Sequence, residues 1–184
     1  MRVYLLVAYT SLSAIITFSN REFSINIPCI IDIEASGFGM NSYPIEVGVV
    51  RGDGARYCKL IKPFPSWTHW DPTAEKLHKI ARKSLLENGD LGAQVCFELN
   101  EFIGKRQVYS DGWVVDSPWL IKLFDSAQIE MTFKMSPLEM ILKEHQFQQW
   151  DAKKQHLLLA LNIERHRASS DALLIQQTYI ETLR

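Results

Sequence analysis

Asp32 and Glu34 lie one residue apart in the apolar run 29–38, which breaks at Gly37. Such a run reads as a short buried strand. Side chains alternate faces along a strand, so both acids point the same way, roughly 6–7 Å apart. Two carboxylates in apolar surroundings are costly unless a cation neutralises them, and hard divalent ions with oxygen ligands are the usual partner. The plain alternative is an Asp-x-Glu on an exposed strand end. Two later stretches supply further acids. In 108–120 a strand ends in the polar turn Ser110-Asp111-Gly112, and Asp116 precedes a helix with Pro118 in its first turn. Alone, Asp116 reads as a helix N-cap and Asp111 as turn chemistry. In 165–172, an unbroken helix would set His166 and Asp171 about 140° apart. A helix beginning at Ser169 or Ser170 instead leaves His166 on the incoming loop and Asp171 in the first turn, where both converge on one cleft. Alone, His166 reads as a surface loop histidine between Arg165 and Arg167.

The elements that must position these groups follow in order. Residues 43–50 form a second strand rich in β-branched residues, Gly52-Asp53-Gly54 a turn, and 56–62 the returning strand of a hairpin. Pro63 and Pro65 end it, and the Pro- and Trp-rich stretch to Asp71 is a loop. Asp71-Pro72 starts a helix predicted to run to about Leu86 and stop at Asn88-Gly89. A second helix is predicted over 92–103, with Val95, Cys96, Leu99, Phe102 and Ile103 on one face. Then come a strand at 107–110, a short helix at 117–124 and a strand at 131–134. Ser136-Pro137-Leu138-Glu139 reads as a capping box opening a helix to about Leu161, with a break near Trp150 allowed. A last helix covers 170–183. This order predicts one α/β domain: a mixed sheet with an antiparallel hairpin, covered by helices.

Asp-x-Glu, a later Asp and His-x4-Asp together resemble the DEDDh branch of the DnaQ-like 3′–5′ exonucleases, within the ribonuclease H-like fold. The resemblance spans about residues 27–184. Asp32 and Glu34 match the first motif, Asp116 the second, and His166 with Asp171 the third. Gly37 and Phe38 after the first acids, Pro-x-Glu-x-Gly at 44–48, Ala168 and Asp171-Ala172 match as well. Leu77-His78-Lys79-Ile80 is similar to a helical segment of the family, and His78 reads as structural. Ala35-Ser36 departs from a common hydroxyl pair and Ser110-Asp111 from a common His-Asn. Both departures bear on substrate contacts more than on chemistry.

The resemblance implies a five-stranded mixed sheet flanked by helices, in which the first three strands form an antiparallel hairpin and the later ones run parallel. It also implies metal-dependent release of 5′-mononucleotides from the 3′ ends of single-stranded DNA or RNA. Two divalent cations, Mg²⁺ or Mn²⁺, would be held by Asp32, Glu34, Asp116 and Asp171, with Asp32 shared, Glu34 and Asp171 completing one site and Asp116 supporting the other. His166 would be the general base. Ala35, Gly37 and Phe38 would be substrate-binding positions, with Phe38 a wedge against the terminal bases or else a core residue at the strand exit. Trp67, Trp70 and Trp113 read as packing residues before stacking surfaces. Arg165 and Arg167 lie where they could meet phosphates, although flanking charges usually solvate a loop.

Composition sets the remaining bounds. A net charge of −1 excludes a global basic field, so any nucleic-acid site is local and helped by cations. Cys29, Cys58 and Cys96 form no CxxC pair, which argues for buried reduced thiols and against a disulfide framework or a zinc site. Residues 1–26 read as an apolar extension whose status stays open, ahead of a single exonuclease domain at 27–184. The charge-free stretch 3–18 is too short for the roughly 20 residues that span a bilayer, and no convincing small-x-small cleavage site precedes Asn20. It is either a weakly packed piece, including translation begun too far upstream, or an export or tethering segment. The expectation is a cytoplasmic protein without stable membrane association. Its protein partners would be a second copy or a polymerase-type assembly. The competing function is a non-catalytic nucleic-acid-binding or scaffold module of a replication or repair assembly.

Overall fold

The computed structural model describes residues 26–183, so the expected extension lies almost wholly outside the described residues. Five strands form one sheet: β1 (Cys29–Ala35), β2 (Pro44–Val50), β3 (Arg56–Leu60), β4 (Gln107–Ser110) and β5 (Lys134–Pro137). Their order is β3-β2-β1-β4-β5. The β1–β2 and β2–β3 pairs are antiparallel, and β4 and β5 join in parallel. Six helices flank the sheet: α1 (Pro72–His78), α2 (Arg82–Asn88), α3 (Gly92–Ile103), α4 (Trp113–Ala127), α5 (Glu144–Ala160) and α6 (Ala168–Thr182). This is the ribonuclease H-like α/β architecture that the sequence predicts.

Strand alternation divides the core into two layers. Ile31 and Ile33 of β1, with Ile45, Val47 and Val49 of β2, pack among Val95, Leu99, Leu120 and Leu123 of α3 and α4. The opposite face carries Ile30 and Val50, which pack with Ala172 and Ile175 of α6 and Leu138. Asp32 and Glu34 share the parity of Ile30, so they lie on the α6 side of the sheet.

Several boundaries differ from expectation. The helix predicted over 72–86 is two. Lys79 turns left-handed at φ 57° to cap α1, and the Ile80 N–H donates to His78 Nδ1 at 3.0 Å, so the chain leaves the helix and buries Ile80. Helix α4 begins at Trp113, four residues before its predicted start, which makes Gly112 its N-cap and Asp116 a first-turn residue. Pro118 is tolerated inside it because the carbonyl it deprives of a bond belongs to exposed Val114. Ser136-Pro137 opens no helix. It pairs with Tyr109-Ser110 as the end of edge strand β5, where proline is accommodated, and leads into a 3₁₀ turn at Leu138–Ile141. Helix α5 then runs unbroken through Trp150. All three cysteines carry free thiols, but Cys58 is exposed rather than buried because β3 lies at the sheet edge. No described helix is long and apolar enough to cross a membrane.

Candidate active site

β1 and β4 run parallel and adjacent, and their carboxyl ends open on one cleft, the usual place for a ligand in such a sheet. Asp32, Glu34, Asp116, His166 and Asp171 all line it, as do Ala35, Gly37 and Phe38. The structure therefore brings the expected metal, base and substrate-binding positions to one cleft, with Arg165 but not Arg167 among its lining. Asp111 lines the same cleft, yet its carboxylate accepts from Lys154 Nζ of α5 at 2.6 Å.

The delivery of Asp171 rests on two residues of β2. In the β1–β2 register Gly48 lies opposite Asp32, and Glu46 opposite Glu34. A Cβ on Gly48 would collide with the backbone of Ala168 and Ser169, so only glycine lets the first turn of α6 lie on the sheet beside Asp32. Glu46 is 1% exposed and serves as a remote cap for α6. Its carboxylate accepts from the Ala168 backbone N–H at 2.8 Å and from Arg167 Nη2 at 2.6 Å. Arg56 of β3 adds a bond to the Ser169 carbonyl at 2.8 Å. These contacts fix the helix start at Ala168, leaving His166 on the loop and Asp171 in the first turn.

His166 itself adopts a left-handed backbone, φ 62°, and its N–H donates to Asp171 Oδ2 at 2.7 Å. One ring nitrogen of His166 and one carboxylate oxygen from each of Glu34 and Asp171 all lie within 4.8 Å of one another. Arg165 Nε donates to the other oxygen of Asp171 at 2.7 Å. On the opposite wall, Asp116 is 3% exposed and accepts from the Ser110 hydroxyl, which itself accepts from the Gly112 N–H at 2.9 Å.

The electrostatics are those of acids short of counter-charge. Burial, then Asp171 and Glu46, push Glu34 up to about 7, with Arg165 and Arg167 opposing. Burial also pushes Asp116 up to about 7, with Asp111 and Glu34 adding and the Ser110 bond opposing. Asp32 is raised well above the ordinary carboxylate range, first by desolvation and then by Asp116, Asp171 and Glu34. It keeps partial exposure toward the cleft, but the dense protein around it dominates its ionisation. A carboxylate cluster that resists ionising together, with a histidine beside it, fits hard divalent cations by the chemistry of its donors.

The loop after β1 shapes the mouth. Gly37 has φ 137°, and a Cβ there would stand 2.7 Å from Asp71 Cβ and 2.8 Å from His69 Cε1. Phe38 is 71% exposed, so it is not a core residue, and its ring lies 6.0 Å from that of Trp119. Helix α4 holds this loop through Lys122 Nζ to the Ser42 carbonyl at 2.6 Å and Trp119 Nε1 to Ser42 Oγ at 2.8 Å. Trp67 is buried and stacks on Tyr43, which makes it a packing residue, and Trp70 is half-buried with its N–H on Glu75. Trp113 stays exposed on the first turn of α4. His78 is buried and accepts the Ile80 N–H, and it also lines the cleft; its Nε2 has no partner among the described residues.

The sequence reading did not foresee the cap that Glu46 provides, the pairing of Arg165 with Asp171, or Lys154. Glu46 and Gly48 were legible as Pro-x-Glu-x-Gly, but their roles require the register across β1 and β2. Lys154 carries no local signal.

No protein-family profile matches the sequence, and no curated protein is significantly similar to it. Among solved structures, E. coli exonuclease I in complex with a dA16 oligonucleotide is similar at TM-score 0.62 and 14% identity, over 84% of this chain and 40% of that one. The zinc-bound form of an E. coli exonuclease I–single-stranded DNA complex is similar at TM-score 0.63 and 13% identity, over 82% and 39%. A product-bound exonuclease I gives TM-score 0.61 and 14% identity, over 82% and 41%. The chain thus spans about two fifths of the length of these proteins and shares their fold.

Proposed function

We propose that this protein is a metal-dependent 3′–5′ exonuclease that removes 5′-mononucleotides from single-stranded nucleic acid. The observation that carries this reading is the convergence of Asp32, Glu34, Asp116 and Asp171 on one cleft, with the His166 ring within reach of Glu34 and Asp171. The fold shared with exonuclease I, whose structures hold single-stranded DNA, supports it.

The four carboxylates would hold two divalent cations, Mg²⁺ or Mn²⁺. Bound there, such ions supply charge neutralisation for the scissile phosphate and a water acidic enough to attack at neutral pH. His166 would take a proton from an attacking water at the ring nitrogen near Glu34 and Asp171, as a general base. Asp171 fixes the backbone from which the imidazole projects, through its bond from the His166 N–H. Ser110 orients the Asp116 carboxylate by donating to one of its oxygens. Phe38 offers an exposed ring for the terminal base, a contact worth about 1–3 kcal/mol and indifferent to sequence. Ala35 and Gly37 line the path without side-chain bulk.

The test uses 5′-labelled single-stranded DNA and RNA with Mg²⁺, Mn²⁺ or EDTA. The expected result is a ladder shortening from the 3′ end only with a divalent ion, 5′-mononucleotide products, and little cutting of closed single-stranded circles. Circle cleavage at a comparable rate would identify an endonuclease. A chain whose stability and nucleic-acid binding ignore divalent ions would be the non-catalytic module instead.

A further inference from the structure

Arg165 stands in an unusual position for a cation flanking an acidic cluster. Its Nε donates to Asp171 Oδ1 at 2.7 Å, and Asp171 is 7% exposed while the Arg165 side chain is 37% exposed. Both residues line the cleft with Glu34. Lysines and arginines elsewhere around the site have partners outside the metal-binding set: Arg167 is held by Glu46, Lys154 by Asp111, and Lys79 by Glu164. Among the charge pairs of the described residues, Arg165 alone takes an oxygen from one of the four acids.

We infer that Arg165 is an exchangeable counter-ion: it occupies Asp171 in the metal-free protein, yields that oxygen when a divalent ion binds, and then turns its guanidinium to a phosphate of the substrate. This rests on the exonuclease reading above. Asp171 has two oxygens. Each oxygen already accepts one hydrogen bond, from the His166 N–H and from Arg165 Nε, and of these two donors only the side chain of Arg165 is free to swing away when a cation claims the carboxylate. The pair is open to water on the arginine side, which keeps its strength modest and its exchange easy. A guanidinium freed beside an anionic strand has a better partner in a phosphate oxygen, to which its planar fork is matched. Binding of metal and of nucleic acid would thereby be coupled through one side chain that opposes the first and supports the second.

The two effects have opposite signs, which gives the test its force. Mn²⁺ binding to the full chain is measured by calorimetry without nucleic acid, and binding of an oligonucleotide with a non-hydrolysable 3′ linkage is measured by anisotropy in saturating Mn²⁺. Arg165→Gln should bind Mn²⁺ several-fold tighter than the parent, and the oligonucleotide several-fold more weakly. Lys79→Gln, a charge lost from a neighbouring exposed pair, should leave Mn²⁺ affinity unchanged and so separate displacement from a general change of field. Arg165→Lys, which keeps the charge and little of the fork, should recover part of the oligonucleotide affinity. Unchanged or weaker Mn²⁺ binding by both Arg165 variants would overturn the inference, as would equal tightening by Lys79→Gln. Oligonucleotide affinity untouched by Arg165→Gln would also overturn it. A parent that binds no Mn²⁺ at all would remove the exonuclease reading and this inference together.

Discussion

At Asp32, stability and the proposed activity pull in opposite directions. Its carboxylate is raised well above the ordinary range by burial and by its acidic neighbours, so ionising it in the metal-free fold is unfavourable. Asp32→Asn should abolish hydrolysis. It should also raise the melting temperature in EDTA at pH 8 by several degrees, each kcal/mol being worth about 2–4 °C in a chain of this size. A melting point lowered by that substitution would show that Asp32 is needed for the fold and not for metal. The same linkage sets a pH profile. Glu34 and Asp116 titrate near 7 in the fold but at ordinary acid values when unfolded, so the protons they retain stabilise the native state. That contribution is whole below about pH 4 and is lost as pH rises through about 7. In EDTA, thermal stability should decline across this interval, and Mg²⁺ should restore it above pH 7. Mn²⁺ affinity should itself rise from pH 6 to 8 with protons released on binding, a signal read by calorimetry in buffers of different ionisation enthalpy. Two further substitutions separate roles. Asp116→Asn should cost orders of magnitude in turnover and Asp111→Asn far less, since Asp111 is paired with Lys154. His166→Ala should retain Mn²⁺ and oligonucleotide while turnover falls about 10²–10⁴-fold. Loss of metal binding in that variant would make His166 a ligand.

At the level of elements, the assembly depends on how α6 meets β2. Glu46→Gln should destabilise the protein by about 1–3 kcal/mol, because Arg167 and the Ala168 N–H lose a charged acceptor at a buried position. Arg167 is 42% exposed, which holds the figure to that range rather than the larger cost of a fully buried pair. Turnover should fall further than stability, since the displaced first turn carries Asp171. Denaturant melts and kinetics on the same preparation would compare the two losses. Much of this level was legible in the sequence. Helix α3 and strand β4 fall where hydrophobic pattern alone puts them, because each is a simple amphipathic or alternating run bounded by glycine or serine. The start of α4 was not legible: Pro118 and Asp116 look like an N-terminus, yet the chain turns at Gly112, where Ser110 ties the turn to Asp116. The end of α1 was hidden too, because nothing local to Lys79 announces a left-handed residue and the cause is the pull of buried Ile80. For Ser136-Pro137, pairing with β4 overrode a sound local capping signal. The five candidate residues of the cleft were legible as a set through the resemblance to the DEDDh motifs. Their electrostatics were not, since Glu46, Ser110 and Lys154 reach the site across the sheet or from another helix.

At the scale of the whole molecule, the site draws on both ends of the described chain. Asp32 and Glu34 arrive on β1, whereas His166 and Asp171 arrive with α6, more than 130 residues later, as counted from their positions in the sequence. Hydrogen bonds across similar spans, such as Gln176 Nε2 to the Pro28 carbonyl at 2.8 Å, close the same loop. Contacts of such separation are entropically expensive to form and are made late in folding. The close seat that Gly48 offers to Ala168 and Ser169 therefore has a consequence in time. A chain still being synthesised can complete β1 to β5 and most of its apolar layer while the groove for α6 stands empty. It then carries three of the four acids but lacks Asp171 and His166. The proposed site is therefore complete only after α6 has emerged and docked.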